Sequence, residues 1–193
     1  LHLSLRRQRQ MCIRDRAEHG LDGIVISDYG KGVCSPQVLA EVLKIANEKG
    51  IKTIVDPKGN DWSKYNGATF ITPNVKELSE YIGRNLPNTD EAIVQAAKET
   101  LAAVDFDYVV ATRSAKGITI VSRQGQIWHN PATQQDVFDV SGAGDTVVAM
   151  IITAMAAGLT VRGTLHVANA AAGVVAVSYT HPDAADEGLG VDL

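Results

Sequence analysis

Cysteine is nearly absent from this chain. Cys12 and Cys34 are the only two in 193 residues. They have no metal-like spacing and are too few for a disulfide framework. A reduced, cytoplasmic setting is the default expectation. Basic charge is not in excess either: 18 Lys and Arg stand against 22 Asp and Glu, a net charge of −4. That balance gives no basic patch for nucleic acid or an anionic membrane. No apolar run is long enough to span a bilayer, since residues 147–159 are too few and include Gly158. The basic N-terminus has no apolar core behind it, which argues against a signal peptide. Internal repeats and low-complexity stretches are lacking. Aromatics are few, at 5%, but the apolar fraction of 45% is ordinary for a globular protein. The length fits one domain with a sizeable core.

The most informative stretch is Phe138-Asp139-Val140-Ser141-Gly142-Ala143-Gly144-Asp145-Thr146. Three small residues precede the apolar run 147–157, which reads as a buried helix. They therefore lie at a helix start, where backbone N–H groups are unpaired and the macrodipole is positive. Small side chains let an anion approach those groups closely. Asp145 falls in the first turn. It can be an ordinary dipole partner or a base aimed at whatever the anion hole holds. An anion hole beside a base is what phosphoryl transfer to a hydroxyl needs.

The rest of the chain alternates strand and helix. Residues 23–27 read as a buried strand, followed by the loop Asp28-Tyr29-Gly30-Lys31-Gly32. Pro36 opens an amphipathic helix to Lys49-Gly50, with Val38, Leu39, Val42, Leu43 and Ala46 inward. Residues 51–55 form the next strand, and Asp56-Pro57-Lys58-Gly59 its loop. A third strand, 68–71, stops at Thr72-Pro73. Asn74 then caps a helix with Glu77 at its third position, close to a capping box, and capping alone could explain both residues. A helix from Asp90 to about Val104 and a strand at 108–111 follow. The turn Thr112-Arg113-Ser114-Ala115-Lys116-Gly117 leads into a hairpin of 118–122 and 126–129 around Gln124-Gly125. An alanine-rich helix, about 161–176, carries Asn169. This alternation argues for a parallel, doubly wound sheet with a small antiparallel portion. Ligands are expected at the carboxyl ends of its strands.

Asp139-Val140-Ser141-Gly142-Ala143-Gly144-Asp145-Thr146 resembles the C-terminal signature of the ribokinase-like (PfkB) carbohydrate kinases. The resemblance implies an α/β, three-layer ribokinase-like sandwich with a mostly parallel sheet. It makes Asp145 the catalytic base and the amides of Gly142, Ala143 and Gly144 the anion hole. Asn74-Val75-Lys76-Glu77 resembles the family's Asn-x-x-Glu motif, which organises Mg²⁺ and the phosphates of ATP; Asn74 and Glu77 would serve the metal. Thr112, Arg113 and Gly117 match the nucleotide-side turn, with Ser114 where many members have glycine. Asn169 matches a position beside adenine, and a lone Asn in such a helix can equally be an interior hydrogen bonder. Asp139 would help bind a monovalent cation or cap its own loop. The loops at 27–32 and 55–59, with Ile71-Thr72-Pro73-Asn74, resemble the bacterial heptose 7-phosphate kinases within the family. There Asp28 would lie near the sugar, and Lys31 and Lys58 near phosphate groups. The implied partners are a sugar phosphate and ATP, with a homo-oligomer for the intact enzyme. Other sugar or sugar-phosphate kinases, and a non-catalytic nucleotide-binding module, are the alternatives.

The two ends read differently. Residues 5–16 lack apolar periodicity and resemble one reading frame of a transposase adaptor. Residues 177–193 resemble the same adaptor read from the opposite strand. The expectation is that 1–16 and 177–193 are non-native tails around a partial kinase domain, 17–176. The family's N-terminal strands, lid and most sugar contacts lie outside that span, so little kinase activity is expected of the chain as written.

Overall fold

The protein is described here by a computed structural model, which covers residues 15–16, 20–132 and 142–178. Among the described residues, six strands form one sheet in the order β1-β2-β3-β4-β5-β6. They are β1 (Gly23–Ser27), β2 (Lys52–Asp56), β3 (Phe70–Ile71), β4 (Tyr108–Thr112), β5 (Ile118–Ser122) and β6 (Ile127–Asn130). β1 to β4 run parallel, and β5 and β6 complete the sheet antiparallel. The helices packed with them among the described residues are α1 (Pro36–Lys49), α2 (Val75–Ile82), α3 (Asp90–Ala103), α4 (Ala143–Ala156) and α5 (Val161–Ser178).

Local chemistry sets the element ends. Ser35 accepts from the Val38 N–H, Pro36 opens α1, and Gly50 closes it at φ 67°. The side chain of Thr89 caps α3 by accepting from the Ala92 N–H. At α2 the capping box is complete. The Glu77 N–H donates to Asn74 Oδ1 at 2.9 Å, and the Asn74 N–H donates to Glu77 Oε2 at 3.0 Å.

The period-2 alternation of the strands sorts their side chains into two cores. Val55, Ile71, Val109 and Val121 face α1, α2 and α3. Ile54, Phe70, Val110 and Ile120 face α4 and α5. The result is three layers, helices–sheet–helices, as the alternation and the family resemblance imply. One detail differs from a doubly wound sheet: the strand order advances without reversal. The second face is covered by the C-terminal helix pair rather than by crossovers. α4 is buried along one stripe, Val147, Val148, Ile151, Ile152 and Ala154. Ala149 and Thr153 face solvent, because only one side of the helix rests on the sheet.

A feature without a sequence signal is the 3₁₀ turn Ser63–Tyr65. Trp62, just before it, and Tyr65, its last residue, are among the most deeply buried side chains. Trp62 stacks on Tyr81 of α2, with ring centroids 4.0 Å apart and planes within 3°. Such pairs contribute about 0.5–1.5 kcal/mol beyond their burial. The second tryptophan, Trp128 on β6, packs against the opposite core.

Candidate active site

The carboxyl ends of β2, β3 and β4 meet the start of α4 at one place. Asp56, Thr72, Asn74, Glu77, Thr112, Gly142, Gly144 and Asp145 line a cavity of about 220 Å³ there. A larger cleft of about 780 Å³ opens beside it and shares Asn74, Thr112 and Gly144. Its walls include Val75, Lys76, Arg113, Gly117, Asn169 and Gly173. That volume suits a small-molecule ligand. A bridge between Asn74 and Thr112, with the Thr112 N–H on Pro73 O at 3.0 Å, fixes the β3 and β4 ends relative to each other.

The start of α4 is built to receive an anion. Gly142 is the N-cap at φ 79° and provides no side-chain cap. The first amides are thus not closed off by a capping side chain. Among the described residues, a Cβ at Gly144 would meet no atom within 4 Å beyond its own stretch of helix. Packing does not require glycine there, and any side chain would enter the cavity instead. Asp145 lies exposed in the first turn.

Opposite it stands a carboxylate that sequence reading left without a role. Asp56, at the end of β2, has its pKa pushed up to about 6, by burial first and then by the charges of Glu77 and Asp145; Lys58 opposes the shift. With the charges of Glu77 and Asp145 within electrostatic reach of Asp56, a cation that enters beside it is favoured. Among the described residues no three of His, Cys, Asp and Glu form a closed metal cage. Mg²⁺ keeps several of its waters and takes only one or two protein carboxylates. Asp56 and Glu77 can provide those. The signal for Asp56 in the sequence was its place at a parallel strand's carboxyl end.

The turn at 112–117 is shaped by two backbone positions. Gly117 sits at φ 77°, and a Cβ there would collide with Asn130 O and lie 2.6 Å from Ala132 N. Only glycine fits under that strand. Ser114 occupies the left-handed region at φ 51°, a conformation that glycine adopts at no steric cost. Arg113 reaches the cleft but is only 2% exposed. Its guanidinium binds Asn88, Asp90 and Thr119. Asn169 is also buried, and its Nδ2 donates to Pro131 O at 2.7 Å.

The structure therefore brings together Asn74, Glu77, Gly142, Gly144 and Asp145, with Val75, Lys76, Thr112, Arg113, Gly117 and Asn169 around the adjoining cleft. Ala143 is the first residue of α4. Asp28, Lys31 and Lys58 line neither cavity. Asp28 turns inward: its Oδ2 accepts from Lys64 Nζ and from the Tyr65 hydroxyl, each at 2.7 Å, and its Oδ1 from the Gly30 N–H at 2.7 Å. Burial would raise its pKa, but these bonds outweigh burial and hold it below the usual carboxylate value. Lys31 and Lys58 are exposed. Asp139 lies outside the described residues.

The family described as pfkB family carbohydrate kinase matches residues 21–183. Curated relatives include a "Bifunctional protein HldE" of Gluconacetobacter diazotrophicus, 47% identical over 154 residues. The alignment covers 80% of this chain and 32% of that protein. A protein of the same name from Paramagnetospirillum magneticum is 48% identical over 152 residues, covering 79% and 31%. The chain thus spans about a third of the length of these relatives. Among solved structures, a mutant of Escherichia coli phosphofructokinase-2 superposes with a TM-score of 0.74 at 23% identity, over 90% of this chain and 56% of that one. Arabidopsis thaliana ribokinase, solved with ribose and ATP, gives 0.68 at 23% identity over 86% and 51%. At such identities the likeness is one of fold, and it is the ribokinase-like fold. No helix among the described residues is long and apolar enough to cross a membrane.

Proposed function

Because the chain belongs to the pfkB family of carbohydrate kinases, we propose that it carries the nucleotide side and the catalytic base of an ATP-dependent sugar-phosphate kinase. The observation that carries this reading is the exposed Asp145 at an open helix start, facing Asp56 and Glu77 across a cavity that continues into a nucleotide-sized cleft. ATP would lie in the cleft, with its terminal phosphates toward the amides of 142–144. Asp145 takes the proton of the attacking hydroxyl as that oxygen bonds to the γ-phosphorus. The bond to the β-phosphate oxygen breaks, and ADP leaves. The helix-start amides stabilise the charge on the transferring group. Mg²⁺, when bound, would be held through Asn74, Glu77 and Asp56 and would neutralise phosphate charge. A monovalent cation near Asp139 belongs to the same reading.

For the acceptor we infer the anomeric hydroxyl of D-glycero-β-D-manno-heptose 7-phosphate, giving the 1,7-bisphosphate. The support is the sequence of the loops at 27–32 and 55–59 together with identities of 43–48% to the bifunctional relatives. Such a product would feed ADP-heptose and lipopolysaccharide core synthesis. The intact enzyme would be a cytoplasmic homo-oligomer. We also propose that 17–176 is a partial kinase domain between non-native ends. The test is a chimera in which residues 21–176 replace the matching segment of the Gluconacetobacter relative. The chimera is expected to phosphorylate heptose 7-phosphate in preference to ribose or fructose 6-phosphate. Asp145→Asn should lower its turnover by about 10²–10⁴-fold and leave ATP affinity nearly unchanged. Turnover by Asp145→Asn close to that of the unsubstituted chimera would remove Asp145 from the role of base.

A further inference from the structure

Arg113 lies in the turn that would meet nucleotide phosphates, and an arginine there invites the role of phosphate ligand. Its bonding argues for another role. Nε donates to Asn88 Oδ1 at 2.9 Å, one terminal nitrogen to Asp90 Oδ1 at 2.5 Å and Thr119 Oγ1 at 2.9 Å, and the other to Asn88 O at 3.3 Å. Four of the five N–H groups of the fork are thereby engaged inside the protein. Asn88 answers with its own Nδ2 on Arg113 O at 3.2 Å, and Lys116 Nζ adds a bond to Asn88 O at 2.5 Å. The side chain is 2% exposed, whereas Asp90 remains 59% exposed. The charge is therefore buried, paired and hydrogen-bonded on several sides, and turning it toward a phosphate would break most of those bonds.

These bonds join two separate walls of the cleft. Asn85, Leu86 and Asn88 lie in the link between α2 and α3, Thr112 ends β4, and Ser114 and Gly117 lie in the turn after it; all six line the cleft. The start of the link is held to α2 by the Arg84 N–H on Ser79 O at 3.2 Å and the Leu86 N–H on Ser79 Oγ at 3.3 Å, with Leu86 buried in the core; Asn88, beyond it, is held through Arg113 and Lys116. The geometry points to Arg113 as a positioning residue: with Asn88 it fixes the 85–88 wall against the 112–117 turn and so sets the width of the nucleotide cleft, without itself binding phosphate.

The proposal rests on the nucleotide-cleft reading, and one set of titrations separates the two. The full 193-residue chain is titrated with ATP, ADP and AMP by calorimetry, alongside Arg113→Lys and Asn88→Ala. Circular dichroism first establishes that each variant is folded. Lysine keeps the charge but cannot reproduce the planar fork. A positioning role predicts that Arg113→Lys and Asn88→Ala each weaken all three nucleotides by a similar factor, about 5–30-fold. It also predicts that the double variant is little worse than either single one, because both act through one set of bonds. A phosphate ligand would instead give a loss that grows from AMP to ATP on Arg113→Lys, with little effect of Asn88→Ala; that pattern overturns the proposal. If Arg113→Lys does not fold, Asn88→Ala decides alone: unchanged affinities refute the positioning role, and a uniform loss upholds it. Absence of binding by the unsubstituted chain would overturn the nucleotide-cleft reading, and the proposal with it.

Discussion

Asp56 shows how one residue can oppose folding at the place where it is useful. Its carboxyl is raised from 3.8 to about 6, first by burial and then by Glu77 and Asp145. The folded state therefore binds this proton more tightly than the unfolded state. The stability from this group is fully present below pH 3.8, declines as pH rises toward 6, and stays lost above it. A shift of this size corresponds to at most about 3 kcal/mol, less what solvent screens at this partly exposed carboxyl. In metal-free buffer, Asp56→Asn should therefore match the unsubstituted chain near pH 4 and exceed its stability near pH 7 by up to that amount. Urea melts across this range measure it, and a constant difference between the two proteins would contradict the electrostatic account. Residues of this kind were the least legible in the sequence. Asn74 and Glu77 announced themselves because their capping bonds span three positions. Asp56 acquires its character from burial and then from Glu77 and Asp145, all of which only the folded sheet supplies. Asp28, which the family resemblance would put near the sugar, has bonds that its loop sequence did not announce: Lys64 and Tyr65, more than thirty residues on, hold its carboxylate.

At the scale of elements, the strands and helices were legible nearly in full, since each carries its own periodicity and stop signals. β3 is the shortest strand at two residues, and the 3₁₀ turn at 63–65 left no pattern, because its burial depends on α1 and α2. The start of α4 offers the clearest separation of stability from function. Gly144 lies inside a helix, where glycine costs roughly 0.5–1 kcal/mol relative to alanine. It has open space around its Cα on the cavity side. Gly144→Ala should therefore keep or slightly raise the melting temperature, yet weaken ATP binding by tenfold or more through the methyl group placed among the amides. A variant that melts lower, or that binds ATP as before, would show that this glycine serves packing and not the cavity.

Across the whole molecule, the layer arrangement followed from the alternation of elements, whereas the unreversed strand order did not. Order depends on which edge each crossover extends, and no local pattern records that. β1 forms one edge of the sheet, and Val25, Tyr29 and Val33 around it are 46%, 64% and 56% exposed. The far edge, β6, is half covered. The two tryptophans lie on opposite sides of this sheet. Trp62 is sealed against Tyr81 beneath α2, and Trp128 is half-buried against the α4–α5 layer. The chain thus carries its own pair of optical probes, one for each helical layer. With Trp128→Phe, the remaining emission should be blue-shifted and poorly quenched by iodide. With Trp62→Phe, it should be redder and more readily quenched. If both single-tryptophan chains lose their native emission at the same urea concentration, the two layers unfold as one unit. Separate midpoints would mean that the sheet can shed its C-terminal helices, and with them the anion-binding end of α4, while the capped side stays folded.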